Sequence, residues 1–325
     1  MLSIPTMRIA AILLVALTFG AAACGSSEAS SSGGAVDGGG GGDGGSSSGD
    51  GATPSNGEIT LTSCTTTAAD DVPAFYKAYF KCSAITLEGA DVVVRTKGLP
   101  PYKSYYWGTT SPNFAPFDTS RGADYRANPN FLSEQNVTVR IPVTPVKKPG
   151  LTVTAALVDG VAGGPNTSVD YPMGPAGVAL NGVILYNPLA RPGDDIAQER
   201  FTFDDYNAHP DPRGAYHYHT FSKGPLAVLA AKGLTASDVP GAASVELYGV
   251  MCDGALVMGC KELDGAEPSK TDFDAQNGHT HDVRDAGGKD ASLPGRYHVH
   301  ICPSWTDKPR PYTPEVQVYD RCTVN

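Results

Sequence analysis

Histidine is missing from the first 208 residues of this 325-residue chain, and charge is scarce throughout. Charged residues make up 18%, the net charge is -10 and the pI is near 5.1. No Lys/Arg stripe is present, which excludes the electrostatic footprint of a nucleic-acid binder. No apolar run reaches the roughly 20 residues that a membrane-spanning helix needs. Several catalytic signatures are also missing: His-Glu-x-x-His, Gly-x-Ser-x-Gly and a phosphate-cradling loop.

What is abundant is Gly (38) and Pro (26), a composition that favours short strands and many turns over long helices. The histidines that do occur are concentrated. Six of the seven form three His-x-His pairs, His217/His219, His279/His281 and His298/His300, and His209 precedes the first by eight residues. At this His frequency roughly 0.15 such pairs arise by chance. On a strand, residues i and i+2 face one way, so each pair aims two imidazoles in one direction. Neutral imidazole is the commonest ligand for Zn, Cu, Ni and Fe. All seven histidines are therefore candidate metal ligands. Copper and zinc lead, and calcium is poorly served by nitrogen donors. Tyr216 and Tyr297 suit strands and are expected beside the ligands, and the carboxylates of Asp205 and Asp282 are expected either to ligate or to hold the far ring nitrogen of a ligand histidine. Asp253 is expected to serve a turn.

The N-terminus has the pattern of a secretory signal: Arg8, an apolar run from Ile9 to Phe19, then Gly20-Ala21-Ala22-Ala23 before Cys24. Small residues before a Cys resemble a bacterial lipobox, which implies cleavage after residue 23 and lipidation of Cys24. An ordinary secretory signal is the alternative. Residues 24–57, rich in Gly and Ser, read as a disordered tether. The expected location is an exported lipoprotein of the outer membrane or cell surface, touching the membrane through its N-terminal lipid alone. Small-molecule and protein partners and the oligomeric state are left open. The remaining cysteines are even in number, which in an exported chain implies disulfides. Their local grouping predicts Cys64–Cys82, Cys252–Cys260 and Cys302–Cys322.

Residues 58–325 read as one mainly β, antiparallel domain with long loops and few short helices. Residues 58–170 form a His-free β layer, with strands expected at 58–62, 85–96 (a hairpin around Gly89), 136–141 and 151–158. The aromatic stretch 102–117 is expected in the core. Residues 171–325 form the His-rich half. Asn181-Gly182 and Asp253-Gly254 each sit between two apolar arms, a strong hairpin signal. Each hairpin is followed by a His-bearing loop, a Gly and Tyr-His-x-His, which reads as an internal duplication. Between the copies, residues 224–233 predict a helix with Pro225 at its first position and Gly233 past its end. Either each half builds its own three-His site or the halves share one.

These motifs resemble the YHYH-domain family. The matching pieces are Gly177 to Pro188, Ala208-His209-Pro210, Gly214 to His219, Tyr248 to Gly254, Asn277-Gly278-His279 and Tyr297 to His300. The second motif departs from the first, with Val299 in place of a tyrosine. The resemblance implies an exported protein and little chemistry. The expected function is transition-metal binding. A metalloenzyme (a metal-assisted hydrolase or a copper oxidoreductase) and a non-metal surface domain for glycan or protein are the alternatives.

Overall fold

A computed structural model describes residues 57–158, 168–189, 196–308 and 310–325. The proposed signal, the tether and Cys24 lie outside the described residues. The described chain is mainly β, with 13 strands in two mixed sheets.

The first sheet runs in the order β1 (Thr67–Ala68), β2 (Ala84–Glu88), β3 (Asp91–Thr96), β4 (Val137–Pro142) and β13 (Thr323–Val324). The β2–β3 hairpin turns at Gly89, whose φ of 63° suits a residue without Cβ. The remaining strands are β5 (Pro175–Ala179), β6 (Ile184–Tyr186), β7 (Ala208–Pro210), β8 (Tyr216–Tyr218), β9 (Leu247–Met251), β10 (Leu256–Met258), β11 (Gly278–Arg284) and β12 (Asp290–His300). They form an eight-stranded sheet in the order β11-β12-β10-β9-β5-β6-β8-β7.

The connectivity of this second sheet is the same counted outward from its centre in either direction. β5 and β9 pair antiparallel with Val178 opposite Val250. Each belongs to a hairpin, β5–β6 or β9–β10. The second arm of each hairpin pairs parallel with a Tyr-His-x-His strand, Ile184 opposite His217 and Leu256 opposite His298. Beyond lies an antiparallel edge strand, with His209 opposite His217 and His279 opposite His298. The central approach is close: a Cβ on Gly249 would lie 2.3 Å from the Val178 carbonyl oxygen, and one on Gly177 2.6 Å from that of Val250. Gly249→Ala is therefore expected to cost about 1–3 kcal/mol through forced strand separation, read as a lowered urea midpoint with unchanged slope.

One hydrophobic core takes side chains from both sheets, including Val92 and Val139 from the first and Val178, Leu185 and Val250 from the second. Tyr102, Tyr105 and Tyr106 are buried in it, and Trp107, Phe114 and Phe117 pack against it. The aromatic stretch thus belongs to the core.

The helices are short: α1 (Ala74–Tyr79), α2 (Ile196–Glu199) and α3 (Lys223–Ala231), with scattered 3-10 turns. α3 is capped by the Ser222 side chain, and Gly233 follows its end with φ 72°. Pro225 falls at the third helical residue, two places later than expected, where its missing N–H still costs no intrahelical bond. Two expected strands are not formed. Residues 58–62 are loop and turn, held by Ser63 and Asn113 side chains instead of a partner strand. Residues 151–158 contain the 3-10 turn Ala155–Leu157. Among the described residues no helix is long and apolar enough to cross a membrane.

Two of the three expected disulfides are re-paired. Cys64–Cys82 stands, but the others are Cys252–Cys322 and Cys260–Cys302. Topology overrides sequence proximity. The parallel β10–β12 pair sets Met258 opposite His300, so Cys260 and Cys302 leave the two strands side by side. Three disulfides fit a chain that folds in an oxidising compartment. Non-reducing peptide mapping is expected to return these pairs, and Cys260→Ser with Cys302→Ser is expected to cost about 2–5 kcal/mol.

Candidate metal centres

Two histidine clusters lie on the eight-stranded sheet, one toward each end. His209 on β7 and His217 on β8 meet His219 just beyond β8, and all three are buried. His279 on β11 and His298 and His300 on β12 meet Glu262 in the same way. In each cluster the candidate ligand atoms lie within 4.8 Å of one another. Each end of the sheet has its own site; the halves do not share one.

The rings are oriented from behind. His217 Nδ1 lies 2.7 Å from the Ala215 carbonyl and His219 Nδ1 2.5 Å from that of Asn187. The other cluster repeats this with His298 Nδ1 at 2.9 Å from the Arg296 carbonyl and His300 Nδ1 at 2.8 Å from that of Gly259. A carbonyl only accepts, so each Nδ1 carries the proton and each Nε2 presents a lone pair. His209 follows the same rule. Its Nδ1 is 2.7 Å from Thr202 Oγ1, whose own proton goes to the Glu199 carbonyl, so the hydroxyl accepts. His279 Nδ1 faces Asp272 Oδ2 at 3.3 Å.

The Nε2 lone pairs therefore converge. His217 and His219 approach at 3.0 Å between Nε2 atoms, and His279 and His300 at 3.2 Å. His209 Nε2 and His298 Nε2 are buried without a hydrogen-bond partner. Neutral rings so arranged repel unless a cation or proton lies between them. Burial disfavours protons in the first cluster: it pushes His209 and His219 well below the ordinary imidazole range and His217 down to about 4. The second cluster carries its own counter-charge. Burial would raise Glu262, but His279, His298 and His300 hold it well below the carboxylate range. Burial likewise opposes protonation of His279, yet Glu262 and Asp272 raise it. His298, burial dominating, falls to about 4.

Aromatic rings wall both clusters. Phe203 stacks on His219 and meets His209 edge-on at 4.9 Å; Phe273 stacks on His300 and meets His279 edge-on at 4.9 Å. Each phenylalanine opens the spelling Phe-Asp-x-x-Asn-x-His, at 203–209 and 273–279. Asp204 Oδ1 accepts from the Tyr206 and Ala208 amides, and Asp274 Oδ1 from those of Gln276 and Gly278. Asn207 and Asn277 turn the chain at φ 56° and 59°. The other Asp oxygen takes the tyrosine of the neighbouring strand: Tyr216 donates to Asp204 Oδ2, and Tyr297 to Asp274 Oδ2 at 2.7 Å. This turn sets the position of the edge-strand histidine. It was readable as a repeated heptapeptide, yet the histidine pairs alone do not reveal it.

The tyrosines thus lie on the strands of the clustered histidines, and their hydroxyls bind these aspartates and not the rings. Asp205 faces Arg121, with Nε 3.6 Å from Oδ1. Asp282 accepts the Gly295 amide through its carboxylate and the His281 Nδ1–H through its carbonyl. The carboxylates that meet histidines are Glu262, Asp272 and Glu199, the last with Oε1 3.6 Å from His209 Nε2. Asp253 serves its turn, accepting from the Ala255 and Tyr319 amides. His281 is separate from the buried set: its side chain is 41% exposed, with Nε2 3.2 Å from Glu262 Oε1.

Fold and clusters together define a β-sheet protein with two histidine centres, each beside a glutamate. The chain belongs to the YHYH protein family, whose profile matches residues 138–308, a little over half of its length. Comparison with curated proteins and with solved structures returns no match.

Proposed function

We propose that this chain is an exported lipoprotein that binds two transition-metal ions, copper or zinc. One ion is held by His209, His217 and His219, the other by His279, His298, His300 and Glu262. The observation that carries this reading is the convergence of Nε2 lone pairs whose opposite nitrogens are tied to backbone carbonyls. A hydrogen-bonded structural cluster would alternate donors and acceptors; this one aims acceptors at acceptors. Three imidazoles with one oxygen donor suit a four-coordinate zinc or copper ion. The near copy of the whole arrangement at each end of the sheet supports an origin by internal duplication.

Elemental mass spectrometry of the purified chain, without a His tag, tests this. Two equivalents of copper or zinc are expected. One is expected in His217→Ala with His219→Ala, and one in His298→Ala with His300→Ala. A parent that takes up no metal after loading with both ions would make the histidines structural.

A further inference from the structure

The second centre has a histidine at its rim that the first lacks. His281 lies two residues beyond the ligand His279 on β11, on the same face, with Nε2 3.2 Å from Glu262 Oε1. At the corresponding place on the other edge, two residues beyond His209, stands Asp211. Its carboxylate is occupied by Tyr186, Arg213 and the Ala215 amide. His281 Nε2 instead meets the carboxylate of Glu262 at 3.2 Å. Its Nδ1 donates to the Asp282 carbonyl, which turns Nε2 toward Glu262, as the Nε2 atoms of the buried rings are turned.

His281 and Glu262 also line a pocket of about 250 Å3 that is open to solvent. His279 and the carboxylates of Asp264, Asp272 and Asp282 line it as well. Glu262 stands between pocket and cluster. Oε1 lies 3.2 Å from both His279 and His281, while Oε2 lies 3.4 Å from the fully buried and unpartnered Nε2 of His298. A cation entering along the acidic wall would meet His281 and Glu262 before the buried imidazoles. A carboxylate that touches the rim histidine and the buried ones alike can pass an ion inward without releasing it.

We propose that the Glu262 centre is an exchange site for a divalent cation, loaded and emptied through this pocket, with His281 as a transient outer ligand. The proposal rests on the metal-binding reading above. It adds that this centre's ion is cargo, whereas the His209 centre has no histidine at the matching place.

The test is stopped-flow transfer of Zn2+ between the purified chain and a chromogenic chelator, in both directions. His298→Ala with His300→Ala identifies the phase belonging to the Glu262 centre. His281→Ala is expected to keep two equivalents of zinc. Loading and extraction in that phase should both slow by about tenfold, the scale on which groups around a metal ligand act. The His209 phase should not change. Added salt should slow loading of the Glu262 phase in the parent, since the attraction of the acidic wall is screened. His281→Gln, which keeps the volume, should slow both directions alike and so separate ligand loss from packing loss. Two equivalents with unaltered rates in His281→Ala would overturn the exchange role alone. Extraction that speeds up would overturn it too, making His281 a permanent ligand. No zinc in the parent would overturn the metal reading and this proposal with it.

Discussion

Glu262→Gln is expected to weaken metal binding at the second centre by at least about 100-fold while leaving the first centre untouched. Altering groups that merely orient ligands costs about 10–100-fold in affinity, and Glu262 would lose a formal charge on a ligand atom. Its carboxylate contacts His279, His281 and His300 through Oε1 and His298 through Oε2. Glutamine keeps the volume but not the charge, so a divalent ion would enter among buried imidazoles without an anion to offset its desolvation. The metal-free state changes as well. Glu262 and Asp272 together raise His279 above its ordinary range, so a proton can stand there in place of a metal. In the glutamine variant His279 should titrate lower. Competition against a chelator gives the affinities, and the histidine NMR resonances give the titration. An unchanged affinity at this centre would remove Glu262 from the ligand set.

The second large effect is on stability as metal and pH are varied. Each ion bound to the folded chain alone, at a free concentration 1,000 times its Kd, adds about 4 kcal/mol. For a domain of this size about 1 kcal/mol moves Tm by 2–4 °C, so stripping both ions should lower Tm by roughly 16–32 °C. Acid should then act on the metal-free protein in a defined window. His217 and His298 ionise at about 4 in the fold, against an ordinary value of 6.5. Between these values the unfolded chain takes up protons that the folded chain refuses. Stability is therefore fully present above pH 6.5 and falls as the pH drops toward 4, by on the order of 3 kcal/mol for each of these two groups. His209 and His219 act in the same direction. Denaturant titrations of the stripped protein from pH 8 to pH 4 read this out. A flat profile would contradict the burial of neutral imidazoles.

The histidine clusters are foreshadowed in the sequence because the strand period puts i and i+2 on one face, and three such pairs are too many for chance. The hairpins around Asn181-Gly182 and Asp253-Gly254 are legible for the same kind of local reason. The carboxylates are not. Glu262 follows β10 by four residues and reaches His279 only after the chain has crossed over, and Glu199 closes a four-residue helix, so neither has a fixed spacing to its partners. Asp205 and Asp282 are nearer in sequence, yet their carboxylates bond elsewhere. The disulfides miscarry for a related reason. Local pairing ignores that parallel strands lay distant segments side by side, as β10 and β12 do for Cys260 and Cys302. His281 is half legible: it matches the His-x-His spacing, but its exposure at the rim comes from the shape of the pocket.

Among the described residues the eight-stranded sheet ends at β7 and β11, and each brings a histidine to a cluster whose other histidines lie on or just past the next strand inward. An unpaired sheet edge is a template on which another chain can add a strand. In both halves a bound ion would pin that outermost strand to its neighbour across the ladder. Losing the ion would let the border fray and offer its backbone to other molecules. Metal status and resistance to aggregation would then be a single property of this protein, and starvation for metal would show first as self-association.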